Sequence, residues 1–265
     1  SHQNALIMHV NFRTKKRFGQ HFLVDQQIID LITKHINAKS DDLIVEIGPG
    51  NGAITEPLAQ SKPMMHLIEF DRELIPILQK KFASYANTKI HHEDALKFDY
   101  SLLGQKLRLV GNLPYNISTP LLFHLIKYRK NVTDQHFMLQ KEVADRLTAK
   151  PGNKTFSKLT IMFGTFMNSE HLFDVPAAAF KPRPKVISSV VRIIPKNDNQ
   201  ILVNDPIILE KIVTSAFTQR RKTLRNSLKG IISDKIMQEL GINPNQRAEE
   251  LPIPVWTKLA NKLTE

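Results

Sequence analysis

Short apolar runs alternate with helix-spaced apolar patterns over most of this chain, and the alternation restricts the folds that are open to it. Strands that alternate with helices usually pair in parallel, in a sheet with helices on both faces. We therefore predict an α/β fold with a doubly wound, mostly parallel sheet, whose last strand is a candidate for antiparallel pairing. The predicted strands cover residues 43–47, 64–70, 89–92, 107–110, 136–139 and 186–194.

The alternation stops at residue 194, and a polar segment over residues 195–200 follows it. Beyond this segment all apolar spacing is helical. Asp205 followed by Pro206 is typical of a helix N-terminus, because aspartate caps the first turn and proline fits its first position. We predict two domains: a sheet domain over residues 1–196 and a small all-helical domain over residues 197–265.

The charge balance restricts the partners. The chain has 37 Lys and Arg residues against 25 Asp and Glu residues, a net charge of +12. Such a surplus favours polyanions, nucleic acid first and an anionic membrane surface second. No apolar run reaches the roughly 18 to 20 residues of a membrane span, and the absence of cysteine excludes disulfides and thiolate metal sites. We expect a cytoplasmic protein without a membrane-bound segment.

The predicted fourth strand ends in Asn112, Leu113, Pro114 and Tyr115. Ligands of open α/β sheets bind at the carboxyl ends of strands. The Asn112 side-chain oxygen and the next backbone carbonyl can both accept hydrogen bonds from an exocyclic adenine amine. Pro114 restricts the backbone, and Tyr115 offers a flat face to a flipped-out base. The alternative is an ordinary turn, in which Asn and Pro are common.

A glycine-rich loop follows the first predicted strand. Gly48, Gly50 and Gly52 form G-x-G-x-G, which differs from the G-x-G-x-x-G of dinucleotide sites and lacks the Lys-Ser/Thr of a phosphate loop. Such glycines let the backbone approach a ligand closely, and Glu46 in the preceding strand supplies a carboxylate for a ligand ammonium. We predict a ligand site that does not take a nucleoside triphosphate.

Acidic residues end the next two predicted strands. Glu69 is placed for the hydroxyls of an adenosine ribose. Asp71 competes for that role but is better suited to cap the following helix. Asp94 can accept a hydrogen bond from an adenine amine. Residues 91–94 look like metal ligands, but neighbours in a strand face opposite ways, and we expect no metal site.

Cations are concentrated in three segments: before the first helix, in a proline-rich loop over residues 175–185, and within the predicted C-terminal helical domain. In the last segment Arg221, Arg225 and Lys229 recur every four residues, which predicts a basic stripe on one helix face. Like charges at this spacing repel, so a solvated face is the less favoured alternative to an anionic partner. The predicted nucleic-acid contacts are Lys15, Lys16, Arg17, Phe180, Arg220, Arg221, Lys222 and Arg225.

Six motifs together resemble the ribosomal RNA adenine dimethyltransferases, in particular the small-subunit, kasugamycin-sensitivity dimethyladenosine transferase family. The resemblance runs from about residue 17 to the C-terminus. The glycine loop is generic to S-adenosylmethionine enzymes, the tetrapeptide narrows the family to amino-group methylation, and the Gln-Arg-Arg-Lys-Thr motif is the most specific. The motifs begin at Phe18, Val45, Ile68, Asn112, Leu139 and Phe217.

The resemblance implies a class I, Rossmann-like methyltransferase domain with S-adenosylmethionine as cofactor, followed by a helical RNA-binding domain. It implies dimethylation of two adjacent adenines in a 3′-terminal hairpin loop of small-subunit (16S) rRNA. By motif position it assigns His21 and Leu23 to the methionine end of the cofactor, Gly48 and Gly50 to the loop beneath it, Glu69 to the ribose, Asp94 to the adenine and Asn112 to the junction with the target amine. Position 21 is often Asn in this family.

Two other functions stay open from the sequence. A large-subunit rRNA adenine dimethyltransferase of the macrolide-resistance type shares the fold and the tetrapeptide. A ribosome-assembly factor, in which binding matters more than turnover, shares the basic surfaces. The intact glycine loop, Glu69 and Asn112 favour a working enzyme. We expect a monomer that binds the small ribosomal subunit.

Overall fold

The computed structural model describes residues 20–265, so Lys15, Lys16 and Arg17 lie outside the described residues. The described chain divides into two compact units. The sheet unit comprises residues 20–144 and Glu170–Pro195, and the helical unit comprises Asp145–Ser169 and Lys196–Glu265. The predicted boundary after residue 196 lies one residue from the third change of unit, between Pro195 and Lys196. The predicted sheet domain, however, included Asp145–Ser169, which the structure groups with the C-terminal helices.

The strands are named here in chain order, and each is short, as is usual in globular proteins. They are β1 (Phe22–Leu23), β2 (Leu43–Ile47), β3 (Met64–Glu69), β4 (Thr88–His92), β5 (Leu107–Asn112), β6 (Val132–Gln140), β7 (Met167–Val175), β8 (Phe180–Lys181) and β9 (Ser188–Pro195).

The α-helices are named in the same way. They are α1 (Gln26–Ile36), α2 (Thr55–Ala59), α3 (Leu74–Lys81), α4 (Ser118–Ile126), α5 (Lys141–Leu147), α6 (Lys158–Gly164), α7 (Pro206–Thr218), α8 (Leu224–Ser227), α9 (Asp234–Glu239) and α10 (Ile253–Lys262).

Seven strands form one sheet in the order β4-β3-β2-β5-β6-β9-β7. Strands β4, β3, β2, β5 and β6 pair in parallel, and β9 pairs antiparallel with β6. The predicted α/β class, the doubly wound sheet and the antiparallel last strand are therefore confirmed. The small separate pair β1–β8 is antiparallel, with Leu23 opposite Phe180.

The centre of the sheet is buried on both faces, as parallel sheets require. Residues 44–47 of β2 are all buried, which explains why all residues of this strand except Glu46 are apolar. Helix α1 packs with Ile29, Ile32 and Ile36 buried. Asp25 begins this helix as predicted, because its carboxylate accepts hydrogen bonds from two backbone N–H groups of the first turn.

The helical unit has its own core. Trp256 of α10 is fully buried, and its indole N–H donates to the Leu251 carbonyl over 2.9 Å. The Phe217 ring lies 5.9 Å from the indole. Helix α7 begins with Asp205 as the cap and Pro206 in the first turn, as the sequence predicts.

The structure differs from the predicted secondary structure in two places. Strand β7 was not predicted, because its edge position leaves most of its residues partly exposed and its pattern polar. The basic stripe does not exist as one helix face, because α8 is only four residues long. The backbone N–H groups of Leu224 and Arg225 donate to the carbonyls of Gln246 and Pro244, so this segment pairs with a distant part of the chain.

Candidate active site

A cavity of about 410 Å³ lies where β2, β3 and β5 end. These strands are neighbours and parallel, so their carboxyl ends meet at one edge of the sheet. Open α/β sheets bind their ligands at this edge. All the predicted catalytic and cofactor-binding residues except Asp94 line the cavity, namely His21, Leu23, Gly48, Gly50, Glu69, Asn112, Leu113, Pro114 and Tyr115.

The glycine loop brings its backbone to the cavity wall. Gly50 has a φ of +60°, which L side chains rarely adopt, and a Cβ there would lie 3.3 Å from the Phe22 ring. The N–H of Gly50 donates to Oε1 of Glu69 over 3.2 Å. Glycine is therefore required for the backbone conformation and for the close approach to Phe22.

Glu69 ends β3 and is held from two sides. Its side chain is 1 % exposed, and besides the bond from Gly50 its Oε2 accepts from the backbone N–H of Asp71 over 2.9 Å. The Asp71 carboxylate accepts from the N–H of Glu73, in the turn before α3. The Glu69 carboxylate lies in the cavity wall, and Asp71 serves the turn.

Glu46 is a second buried carboxylate in the cavity wall, also 1 % exposed. The hydroxyl of Thr55 donates to its Oε1. Burial, together with the nearby charge of Glu69, raises the pKa of Glu46 to about 7, although the Thr55 bond and Lys81 oppose the rise. A cationic ligand group beside this carboxyl would favour its ionised form.

Asn112 ends β5 with a defined orientation. Its Nδ2 donates to the backbone carbonyl of His21 over 3.2 Å, which leaves Oδ1 as the acceptor that the side chain presents. Leu113 is buried, and its N–H donates to the Met138 carbonyl on β6 over 3.2 Å. The tetrapeptide is therefore tied to both neighbouring segments, which favours a preformed acceptor pair over an ordinary surface turn.

Two aromatic rings of the cavity lining lie close to each other. The rings of His21 and Tyr115 are 5.9 Å apart and inclined by 30°. His21 Nδ1 lies 2.7 Å from the Pro182 carbonyl, so this nitrogen carries the proton and donates. In the neutral ring, Nε2 is then an acceptor.

Asp94 is the exception among the predicted cofactor residues. The residues on either side of it, Glu93 and Ala95, line the cavity, whereas Asp94 Oδ1 accepts from the N–H of Leu96 over 2.9 Å. Sequence reasoning also missed Phe22 and Phe70, two aromatic lining residues. Phe70 could have been identified from the sequence, because it is a large apolar residue that directly follows Glu69. In the structure Phe70 is about half exposed.

The predicted nucleic-acid residues are placed differently from one another. Phe180 is 3 % exposed and packs in the core, so its ring offers no stacking face here and that prediction is corrected. Arg220 forms an ion pair with Glu249 over 2.5 Å and donates to the carbonyls of Lys154 and Phe156. Its guanidinium therefore stabilises the helical unit through these contacts.

The other cations of this segment face solvent. Arg221 and Lys222 are exposed in the turn between α7 and α8. Arg225 is exposed as well, but it pairs with Asp234 over 2.8 Å and donates to Asn245 over 2.9 Å. Arg221 and Lys222 are therefore the better placed of the predicted phosphate contacts in this unit.

Among residues 20–265, no group of three or more His, Asp or Glu side chains could hold a metal ion. Within the same residues, no helix combines the length and apolar character that crossing a membrane requires.

Comparison with protein families gives a match over nearly the whole chain. The family model described as "Ribosomal RNA adenine dimethylase" matches residues 11–265. The protein named "Ribosomal RNA small subunit methyltransferase A" from Pseudomonas putida is 46 % identical over 256 residues, covering 96 % of each chain. Its namesake from Saccharophagus degradans is 49 % identical over 254 residues, covering 95 % of each chain.

Solved structures agree with this match. A dimethyladenosine transferase from Plasmodium falciparum superposes with a TM-score of 0.80 and 26 % identity, covering 92 % of this chain and 98 % of that one. The 23S rRNA methyltransferase ErmE superposes with a TM-score of 0.75 over 92 % of this chain and all of that one, but at 22 % identity it supports the fold alone. The class I methyltransferase fold expected from the resemblance is confirmed.

Proposed function

The chain belongs to the ribosomal RNA adenine dimethylase family, and on that premise we propose that it transfers methyl groups from S-adenosylmethionine to the N6 amines of two adjacent adenines in a 3′-terminal hairpin loop of small-subunit rRNA. The identities of 46–49 % to small-subunit methyltransferases over almost the full chain favour this substrate. The large-subunit alternative has only a fold similarity at 22 % identity behind it.

The cavity fits the proposed cofactor by the chemistry of its donors and acceptors. Glu46 is a buried carboxyl at the position for the cofactor's ammonium, and Glu69 is a buried carboxylate for its ribose hydroxyls. Phe22, Phe70 and Ala95 supply apolar surface. When bound, S-adenosylmethionine supplies an electrophilic methyl group on a sulfonium. We propose Asp94 as an outer acceptor near the adenine end.

Oδ1 of Asn112 and the Leu113 carbonyl would accept hydrogen bonds from the two N–H groups of the target amine. An adenine amine is a poor nucleophile because its lone pair is delocalised into the ring. Two acceptors held in place favour a tetrahedral nitrogen, whose lone pair then points away from the ring. Asn112 is oriented for this by its bond to the His21 carbonyl. The N–C bond would form as the S–C bond of the sulfonium breaks, which leaves a neutral thioether, and the methylated nitrogen, now strongly acidic, would release its proton. Catalysis then rests on positioning and exclusion of water, and the site needs no strong base.

Tyr115 would stack on the flipped-out adenine, and exposed cations would hold the surrounding RNA. Stacking on an aromatic ring offsets part of the cost of removing a base from its neighbours. Arg221 and Lys222 are the proposed phosphate contacts of the helical unit. Lys15, Lys16 and Arg17 are proposed contacts on sequence grounds only. We propose that the protein acts as a monomer on the small subunit in the cytoplasm.

The single observation that carries this function is the junction of Glu69, Gly50 and Asn112 in one cavity of a chain of this family. The test is incubation with labelled S-adenosylmethionine and unmethylated small ribosomal subunits, followed by nucleoside analysis of the RNA. We expect N6,N6-dimethyladenosine in the small-subunit RNA. Large subunits serve as the control; dimethyladenosine found there alone would support the macrolide-resistance alternative, and none in either subunit would contradict the proposal.

A further inference from the structure

The Tyr115 hydroxyl is held by a residue that lies far from the tetrapeptide in sequence. It lies 2.7 Å from Oγ of Ser188, within hydrogen-bond distance. Ser188 is the first residue of β9 and is fully buried, whereas Tyr115 is partly exposed at the cavity. A buried hydroxyl therefore fixes the far end of a side chain whose ring is only partly packed.

The direction of β9 explains why this contact exists. β9 runs antiparallel to β6 and places Ser188 opposite Gln140, the last residue of β6. The start of β9 therefore lies at the same edge of the sheet as the carboxyl ends of the parallel strands. A parallel strand in this position would present its last residues there instead, and Ser188 would lie at the opposite edge.

The next residue faces another environment. Successive side chains of a strand point to opposite faces of the sheet. Ser189 is also fully buried, but its Oγ donates to Asp174 over 2.7 Å, and the same carboxylate oxygen lies 2.7 Å from Nε2 of His171. Ser188 and Ser189 are therefore adjacent residues of one type and equal burial, of which only Ser188 bonds to a residue that lines the cavity.

We propose that Ser188 is a positioning residue for methyl transfer, which sets the plane of the Tyr115 ring on which the target adenine stacks. This inference rests on the proposed function, because it requires an adenine at Tyr115. Ser188 does not line the cavity and acts through Tyr115. Its loss affects the alignment of the amine with the methyl group and leaves the Glu46 and Glu69 contacts in place.

Ser188→Ala is expected to lower kcat by about 3- to 10-fold, the effect of losing one hydrogen bond in an alignment step, with an unchanged KM for S-adenosylmethionine. Tyr115→Phe removes the same bond from its other end and should give a similar loss. If Ser188 acts only through Tyr115, the double variant should be no slower than the slower single variant. Ser189→Ala, the matched control, should keep the wild-type kcat.

Thermal midpoints of all variants are measured beside the kinetics. Wild-type kcat in Ser188→Ala, or losses that multiply in the double variant, would overturn the inference. If Ser188→Ala does not fold, Tyr115→Phe still tests it, because full activity of that variant shows that the bond is dispensable. Absence of methyl transfer by the wild-type protein would count against the proposed function, whereas an active wild type with an unaffected Ser188→Ala variant counts against the inference alone.

Discussion

The cavity of the sheet unit and the basic turn of the helical unit hold their charges in different ways. Glu46 and Glu69 are each 1 % exposed, and their oxygens accept bonds from backbone N–H groups or a buried hydroxyl. Arg221 and Lys222 are exposed in a turn between two helices. Desolvated groups at fixed positions select one small ligand by shape and charge. Exposed cations neutralise phosphates over many geometries.

This difference suggests that the cavity serves methyl transfer and that the basic turn serves RNA binding. A substitution in the cavity should change one step strongly and leave RNA affinity unchanged, whereas a substitution in the basic turn should change RNA affinity modestly and in a salt-dependent way. Each prediction below tests one side of that contrast.

Asn112→Ala should produce the largest effect. We expect methyl transfer to fall by more than about 100-fold, because one of two fixed acceptors for the target amine is lost. The affinity for S-adenosylmethionine should stay within a few fold, because Asn112 contributes mainly when the amine is present. Methylation assays and isothermal titration measure the two quantities. Near-normal turnover of the variant would contradict the two-acceptor mechanism.

Glu69→Ala should act on the cofactor instead. Losing a charged acceptor for two ribose hydroxyls should cost roughly 1.5 to 3 kcal/mol, or about 10- to 150-fold in the dissociation constant for S-adenosylmethionine. The control is Asp71→Ala, whose carboxylate serves the turn before α3. A larger loss in Asp71→Ala than in Glu69→Ala would show that the ribose carboxylate had been assigned to the wrong residue.

Glu46 should make cofactor binding depend on pH. Its pKa is raised to about 7 by burial, and only the ionised form attracts the cofactor's ammonium. Affinity should therefore fall by up to about tenfold per pH unit below the pKa and level off above it. Titrations with S-adenosylmethionine between about pH 5.5 and 8.5, in steps of about half a pH unit, test this. Glu46→Gln should bind more weakly and lose the dependence.

The same group should affect stability in the absence of cofactor. A carboxyl whose pKa is higher in the folded than in the unfolded state favours folding at low pH, and this contribution is lost as the pH rises through the folded pKa. Relative to Glu46→Gln, the free energy of unfolding of the wild type should fall by about 3 kcal/mol between pH 4.5 and pH 8. Parallel stability curves of the two proteins would mean that the Glu46 carboxyl is hydrated in the native state.

The cavity was largely predictable from the sequence because its residues follow strand ends. Buried strands are recognisable from apolar runs, and in a parallel sheet their carboxyl ends meet at one edge, so Glu69 and Asn112 could be placed together before the structure was known. Ser188 could not, because its position depends on the direction of β9 and on the register with β6. Phe180 looked like a solvent-facing aromatic in a loop, but its pairing with Leu23 buries it.

The basic turn was less predictable for a related reason. A spacing of four residues predicts a helix face only if the helix exists. Here the N–H groups of Leu224 and Arg225 bond to carbonyls about twenty residues later in the chain, at Gln246 and Pro244, and the helix ends at Ser227. Arg220 is drawn inward by Glu249. Such long-range pairing leaves no periodic signal in the sequence.

The smallest expected effect concerns the basic turn, and it decides whether this turn binds RNA at all. Arg221→Ala combined with Lys222→Ala removes two exposed cations. If both contact phosphates, the slope of log affinity for the small subunit against log salt concentration should shrink by about 1.4 to 1.8. Affinity for S-adenosylmethionine should not change, because every residue that lines the cavity belongs to the sheet unit.

The matched control is Lys211→Ala combined with Lys258→Ala, which removes the same charge from exposed positions on α7 and α10 of the same unit. A general effect of net charge would shift the salt dependence of both double variants equally, whereas phosphate contacts would change the slope of the first variant only. Equal slopes would show that the turn is merely solvated. The phosphate contacts would then have to come from the sheet unit, where Lys181 at the end of β8, and Arg183 and Lys185 in the loop that leads into β9, are exposed.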